Sequence, residues 1–167
     1  DPAMTLAVGE TLIVPDGEDT PPPGTVSSQP RPIRGSGPSH AGYYIRPTVG
    51  GVRTQGLHGY NGVDLATGST GAPIYASAAG TVIVSKESGW NGGYGKYVVI
   101  QHDNNTQTLY AHNNDNIVAR GQTVAQGQVI GYTGSTGNST GPHVHFEIRN
   151  GIRNPFYLGW YPYNPAK

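Results

Sequence analysis

The sequence predicts an all-β fold, and three observations carry this prediction. Beyond residue 42, short runs of apolar residues alternate with polar ones or are rich in β-branched side chains, as strands are. Turn-forming residues separate these runs, and Asp103-Asn104-Asn105 is typical of a hairpin connection. No stretch of ten or more residues has a helical period, because Gly121 and Gly127 interrupt the nearest approach to one, 117–129. We therefore expect short antiparallel strands that form a sandwich or a partly open barrel.

The sequence predicts eight strands. Alternation of side-chain type indicates the first, 73–78, and β-branched runs indicate 81–85 and 97–102. Segment 106–112 alternates again, and the two short segments 116–119 and 123–125 lie on either side of Arg120-Gly121. The last two candidates are 128–133 and 142–149, of which the second alternates over its whole length.

Composition excludes several classes of function. Ten basic and ten acidic residues cancel, whereas nucleic acids and anionic membrane surfaces attract an excess of Lys and Arg. The absence of cysteine rules out disulfides, a thiolate metal site and a cysteine nucleophile. No apolar run approaches the roughly 18 to 20 residues that a membrane span needs. These observations predict that the chain binds no nucleic acid and that the given sequence contains no membrane span.

The distribution of proline divides the chain into three parts. Seven of the fourteen prolines lie between positions 15 and 38, so 20–41 is predicted to be a linker with polyproline II character. Residues 1–19 are predicted to be a leader; 6–15 resemble the end of a glycan-binding LysM repeat, although an ordinary strand or a disordered leader is the alternative. Residues 42–167 form the predicted folded domain. No signal peptide is visible, and we expect that an export signal was removed upstream of Asp1.

The segment 142–149 concentrates polar side chains on one face of a strand. Successive side chains of a strand point to opposite faces, so His143, His145 and Glu147 share one face. Val144, Phe146 and Ile148 share the other, which is predicted to be the core face. Two histidines at this spacing lie about 6–7 Å apart, from a rise of ~3.3 Å per residue. One can therefore ligate a metal ion while the other faces a substrate.

Other histidines extend this pattern. His112 ends the predicted strand 106–112, and His58 and Asp64 lie in a glycine-rich segment that is predicted to be a turn. Two histidines and one aspartate leave a fourth position open on a metal ion, which is the pattern of a catalytic zinc site. Histidines that do not bind the ion are then free for proton transfer near neutral pH. The sequence has no His-Glu-x-x-His motif, which excludes a helix-borne metalloprotease site.

The segment from Gly42 to Phe156 resembles the LytM/lysostaphin-type zinc endopeptidases of peptidase family M23, which cleave the peptide part of bacterial peptidoglycan. The motifs that carry the resemblance occur in the order of the family. They include Gly71-Ala72-Pro73-Ile74-Tyr75-Ala76, Gly80-Thr81-Val82, Gly93-Tyr94-Gly95, Val99-Ile100-x-His102, Leu109-Tyr110-Ala111-His112, Gly121-Gln122, Gly127-Gln128-Val129-Ile130-Gly131 and the run from Gly134 to Glu147. The resemblance implies an antiparallel sheet with long loops around an active-site groove.

The resemblance also implies residue roles. In the His-x-His motif, it makes His143 catalytic and His145 a zinc ligand, and it makes His112 the other catalytic histidine. Asp64 follows Gly62 as the aspartate ligand of the family does. The family pattern His-x-Gly-x-Asp expects a further ligand at position 60, where this chain has Tyr60.

Three interpretations of this departure stay open. In the first, His58 is the ligand, six residues before Asp64 rather than four, and glycines make the longer loop possible. In the second, Tyr60 ligates as a phenolate, against a reference pKa of about 10. In the third, zinc is lost and the domain is a non-catalytic regulator.

Four further residues are candidates for supporting roles. Tyr60 and Tyr94 could donate a hydrogen bond to an oxyanion in the reaction. Glu147 could orient a histidine of its own strand face, because metal-bound histidines need an acceptor for their second nitrogen. For His102 we weigh a similar supporting role against an ordinary structural one at a strand end.

The predicted function is that of a zinc metalloendopeptidase with one Zn²⁺, which hydrolyses stem-peptide cross-links or bridges in peptidoglycan. The alternative is an inactive domain of the same family that binds the cell wall or activates another hydrolase. We expect a monomer that is extracellular or located in the cell envelope.

Overall fold

The computed structural model describes residues 42–151 and 153–158, and within them the chain is almost entirely β-structure. Two 3-10 turns, η1 (Asn91–Gly93) and η2 (Pro155–Leu158), are the helical segments of this part of the chain. The nine strands are β1 (Val52–His58), β2 (Gly62–Ala66), β3 (Pro73–Tyr75), β4 (Gly80–Lys86), β5 (Lys96–Gln101), β6 (Gln107–Asn116), β7 (Thr123–Val124), β8 (Val129–Thr133) and β9 (His143–Arg149).

All nine strands belong to one antiparallel sheet that does not close into a barrel. The main path runs β1-β2-β9-β6-β5-β4-β7, and β8 pairs with both β3 and β6. The sheet divides at the long strand β6, whose first half pairs with β9 and whose end pairs with β8. A register shift between Asn113 and Asp115 accompanies this change of partner. The predicted all-β class is thus confirmed.

Apolar side chains are buried on both faces of the central strands. One face carries the main core, in which Val144, Phe146 and Ile148 of β9 pack with Tyr110 of β6. The opposite face carries a smaller cluster, made by Tyr97, Val99, Leu109 and Ala111. Cross-strand pairs lie on the same face, so the pairing of Leu109 with Glu147 and of Ala111 with His145 places the polar residues of β9 beside this smaller cluster.

Seven of the eight candidate strands correspond to β3–β9, and the Asp103-Asn104-Asn105 turn joins β5 to β6 as predicted. The candidate 116–119 was wrong, because β6 itself ends at Asn116. The prediction of a glycine-rich turn around His58 and Asp64 was also wrong, since these residues belong to β1 and β2. Strand β1 is mostly exposed, so it lacks the apolar alternation by which strands were identified.

The predicted leader, 1–19, and the predicted linker, 20–41, lie outside the described residues. Within the part of the chain that the structure describes, no helix has the length and apolar character needed to cross a membrane.

Candidate metal and catalytic centre

Strand register brings Asp64 and His145 together. The two residues are directly paired across β2 and β9, and Asp64 Oδ1 lies 2.9 Å from His145 Nδ1. Both side chains are largely buried. Because paired residues project from the same face of a sheet, the contact follows from backbone pairing and needs no special loop.

A three-residue turn supplies the third member of the cluster. His58 ends β1 and pairs with Gly62, so the turn consists of 59–61, in which Gly59 and Asn61 have positive φ. The Asn61 amide donates to Ile148 O at 2.7 Å and anchors the turn. His58 Nε2 then lies 3.0 Å from His145 Nδ1 and 3.3 Å from Asp64 Oδ1.

The remaining nitrogen of each of these two histidines has an acceptor. His58 Nδ1 lies 2.6 Å from Gly56 O, and His145 Nε2 lies 2.9 Å from Glu147 Oε1. In the neutral tautomers with protons on these two nitrogens, His58 Nε2 and His145 Nδ1 carry the lone pairs. The same two lone pairs converge with the Asp64 carboxylate on one point.

The spacing of these three donor atoms suits a zinc ion. Ligands that lie 2.0–2.1 Å from zinc at tetrahedral corners are about 3.3 Å apart. The observed separations are 2.9, 3.0 and 3.3 Å, and one ligand atom from each residue lies within 4.8 Å of the others. Two imidazoles with one carboxylate form a donor set that zinc accepts readily.

A buried polar network supports His145 from behind. Besides His145, the fully buried Glu147 accepts hydrogen bonds from Tyr94 Oη at 2.8 Å and from Arg149 Nε. Arg149 also donates to Tyr94 Oη at 2.8 Å, and its guanidinium lies 5.1 Å from the centre of the Tyr60 ring. The network thus fixes the orientation of the carboxylate that holds the His145 ring.

Electrostatics favour a cation at this point. Burial alone would raise the pKa of Asp64, but its hydrogen bond to His145 and the neighbouring histidines outweigh burial and hold that pKa below its ordinary value. Burial alone would lower the pKa of His145, yet the bonds to Asp64 and Glu147 raise it to about 9. The negative charge that favours a proton on His145 favours a metal ion in the same way.

His112 and His143 form a second pair next to the three-residue cluster. Their ring centres are 4.7 Å apart, and His143 Nε2 lies 3.8 Å from Asp64 Oδ2. His143 Nδ1 donates to Gly141 O and His112 Nδ1 donates to Thr136 O, both at 2.8 Å. In the neutral tautomer that these bonds select, the lone pair of each ring is on Nε2. Burial, more than any other cause, lowers the pKa of His112 to about 4, which keeps this ring neutral at pH 7.

The backbone of His112 is in an unusual conformation. Its φ is +65°, in the left-handed region that side-chain-bearing residues seldom adopt. Two contacts hold it there: its N–H donates to Tyr94 O at 2.9 Å, and its ring donates to Thr136 O. Residues in this region cost about 1–3 kcal/mol and cluster at functional sites.

The structure separates the other candidates. The Tyr94 hydroxyl is engaged by Glu147 and Arg149, so it supports Glu147 rather than pointing to a substrate. Tyr60, at the centre of the 59–61 turn, is 59% exposed. His102 is bonded through Nδ1 to Ala79 O and through Nε2 to Thr108 Oγ1, on the core face. These contacts favour a structural role for His102 over a supporting role at the site.

Arg149, Thr136 and Gly141 were missed from the sequence. Arg149 continues the alternation of His143, His145 and Glu147, so it could have been found as the next polar side chain on that face. Thr136 and Gly141 act through carbonyl oxygens, for which residue type gives no signal.

Substitution of Gly62 tests how tightly the cluster of His58, Asp64 and His145 is packed. A Cβ at this position would lie 2.6 Å from His145 Cε1 and 2.9 Å from Nε2, on a ring whose two nitrogens lie 2.9 Å from Asp64 and Glu147. Gly62→Ala should therefore displace the ring and weaken zinc binding about 10- to 100-fold, as loss of an orienting partner does. Competition with a chromophoric chelator measures this affinity. Gly141→Ala is the matched control, because its Cβ would meet no atom within 4 Å; equal affinities for the two variants would contradict the prediction.

Comparison with known proteins identifies relatives of this chain. The model of peptidase family M23 matches residues 58–156, more than half of the chain. The chain is 44% identical over 108 residues to the DD-carboxypeptidase/endopeptidase Mpg of Neisseria meningitidis, which covers 65% of this chain and 23% of that protein. It is 43% identical over 89 residues to the peptidoglycan DD-endopeptidase ShyA of Vibrio cholerae, which covers 53% of this chain and 20% of that protein. The chain thus spans about a quarter or less of these relatives.

A solved structure supports the same relationship. A putative peptidase M23 from Pseudomonas aeruginosa superposes with a TM-score of 0.59 and 30% identity, covering 74% of this chain and 53% of that one. The single antiparallel sheet described above is therefore shared with a solved structure of similar sequence.

Proposed function

Because the chain belongs to peptidase family M23, we propose that it is a zinc-dependent endopeptidase that hydrolyses peptide bonds in bacterial peptidoglycan. One observation carries the proposal. Four histidines each have one ring nitrogen bonded to a protein oxygen, and the other nitrogens of His58, His112, His143 and His145 are left for a shared site beside Asp64. The names of Mpg and ShyA support the choice of peptidoglycan as the substrate.

We assign zinc to His58 Nε2, Asp64 and His145 Nδ1, the donor set whose separations fit a tetrahedral ion. When bound, zinc supplies a Lewis acid for the scissile carbonyl and for the attacking water. Glu147 keeps the proton of His145 on Nε2, so that Nδ1 stays available as a ligand. This assignment favours His58 over Tyr60 as the third ligand.

His112 and His143 are assigned to proton transfer. Each carries its proton on Nδ1 and keeps a free Nε2, so either can accept a proton from water. An imidazole that has gained this proton can donate a hydrogen bond to the oxyanion and then protonate the leaving amine. Because their ring centres are 4.7 Å apart, both imidazoles can act on the oxygen and nitrogen atoms of one tetrahedral intermediate.

Peptidoglycan as the substrate implies a location in the cell envelope. One copy of the chain supplies every residue of the proposed site, which is consistent with a monomer. The name of one relative supports the envelope location: the chain is 40% identical over 82 residues to the lipoprotein NlpD of Yersinia enterocolitica.

Two measurements on the purified protein test the proposal. Metal analysis should find close to one zinc per chain, and purified peptidoglycan should release peptides in a reaction that a chelator stops and added zinc restores. Absence of zinc together with retained binding to the cell wall would instead identify a non-catalytic module of the same family.

A further inference from the structure

Trp90 is a large aromatic side chain on the surface of a well-defined loop. It is 62% exposed, although tryptophan is usually among the more buried residues. Its carbonyl accepts hydrogen bonds from the N–H groups of Gly93 and Gly95, both at 3.0 Å. The Asn91 side chain donates to Ser88 O at 2.8 Å and to Gly95 O at 2.7 Å. The loop therefore presents the indole from a fixed backbone.

A second loop packs directly on the first. We call segments 88–95 and 134–141 together the loop pair. Asn138 N–H donates to Gly93 O at 2.7 Å, and Lys96 N–H donates to Thr136 Oγ1 at 2.9 Å. A Cβ on Gly137 would lie 2.3 Å from Gly93 O, so the backbones touch. The two segments form one surface as a result.

Gly93 lies beside the side chains of both Trp90 and Asn138 in this surface. A Cβ built on Gly93 would have Asn138 Cβ at 3.4 Å and Trp90 Cζ2 at 4.0 Å, and no nearer atom. The indole and the Asn138 side chain therefore lie close to each other, next to a residue that has no side chain. A ligand ring that packs on the exposed indole can place a polar substituent near Asn138.

The chemistry of the loop pair selects a neutral, hydroxyl-rich ligand. Neither segment contains an acidic or basic residue. Among their hydroxyl and amide side chains, Asn91, Thr136 and Ser139 hold the loops in place, so Asn138, beside the indole, is the side chain that we assign to the ligand. Peptide stems carry carboxylates and amino groups, which favour charged partners. A sugar ring offers neutral hydroxyl and acetamido groups, and its C–H faces pack against the electron-rich face of an indole.

We propose that Trp90, with Asn138, is a subsite for an N-acetylhexosamine ring of the glycan strand. This inference rests on the proposed function for its biological setting, because a glycan strand is what the peptide substrate is attached to. The loop pair also contacts the site: the Tyr94 ring lies 5.8 Å from the His145 ring, and Tyr94 O and Thr136 O hold His112. A sugar on Trp90 would therefore hold its attached peptide close to the proposed catalytic residues.

The first test is a binding measurement that needs no catalysis. The chain has two tryptophans, so the indole N–H signal that disappears in Trp90→Ala belongs to Trp90. Titration of the full chain with the N-acetylglucosamine tetramer should shift this signal saturably. Trp90→Ala should bind the tetramer at least about five-fold more weakly, the effect of losing an interface residue worth about 1 kcal/mol. Ile117→Ala, which removes another exposed apolar side chain, is the matched control and should bind normally.

The second test compares two substrates. One is a cross-linked peptide dimer that still carries its disaccharides, and the other is the same dimer after an amidase has removed them. Trp90→Ala should lower kcat/KM at least about five-fold more on the first than on the second. Equal losses would show that Trp90 contacts peptide and would overturn the inference, as would an unshifted Trp90 signal in a protein that hydrolyses peptidoglycan. If no hydrolysis is seen, the titration alone decides the inference.

Discussion

His58→Ala is expected to lose zinc and activity together while the protein stays folded. The substitution removes one of the three donors that converge on one point, so zinc affinity should fall by more than the roughly 10- to 100-fold lost with an orienting partner. The fold should persist because His58 ends the exposed edge strand β1, whereas the core is built by buried residues such as Val98, Ile100 and Phe146. Metal analysis after gel filtration and a far-ultraviolet circular dichroism spectrum measure the two effects.

Tyr60→Phe is the matched control for this variant. It removes one hydroxyl from a 59% exposed side chain and keeps the ring that packs over Arg149. Zinc content should therefore equal that of the unmodified protein. The assignment of His58 would be contradicted if His58→Ala keeps its zinc or if Tyr60→Phe loses it. Tyr60 would then be the candidate for the third ligand.

His143→Ala and His112→Asn should each keep zinc and lose about 10²- to 10⁴-fold in kcat, the usual contribution of a general acid or base. Asparagine is chosen at position 112 because it tolerates the left-handed backbone conformation found there. Neither imidazole belongs to the three-donor cluster of His58, Asp64 and His145. Zinc content and steady-state kinetics on the same samples separate metal binding from proton transfer.

A buried histidine outside the site controls for general damage. His102→Gln replaces a ring whose two nitrogens contact Ala79 and Thr108, and the amide can satisfy part of the same bonding. It should keep both zinc and turnover. If His112→Asn or His143→Ala instead comes off the column without metal, that histidine is a ligand and the proposed division of roles is wrong.

Much of the fold follows from patterns that span only a few residues. Alternation along 142–149 places His143, His145 and Glu147 on one face, and the structure agrees because the strand period of two is a local property of the backbone. The same reasoning identified seven strands. It failed at β1, whose exposed polar residues pair with β2 without an apolar alternation. A glycine-rich turn was therefore predicted where the structure has β1 and β2.

The contacts of the site depend on residues far apart in the sequence. Asp64 and His145 are 81 positions apart and meet because β2 and β9 pair in one register. Similarly, the partner of Arg149 at Tyr94 lies 55 positions away. No local pattern specifies such a register, since it is set by the burial of whole strands.

By itself, the sequence determined the all-β class, the polar face of the last strand and the residue types able to bind zinc. Only the tertiary structure showed that His58, and not Tyr60, lies beside Asp64 and His145. The three-residue turn after β1 carries Tyr60 outward over Arg149, while the pairing of His58 with Gly62 brings the imidazole to 3.0 Å from His145. The physical reason is that side-chain type and strand period act over a few bonds, whereas the meeting of three donors depends on turn geometry and strand register, which only the packed sheet fixes.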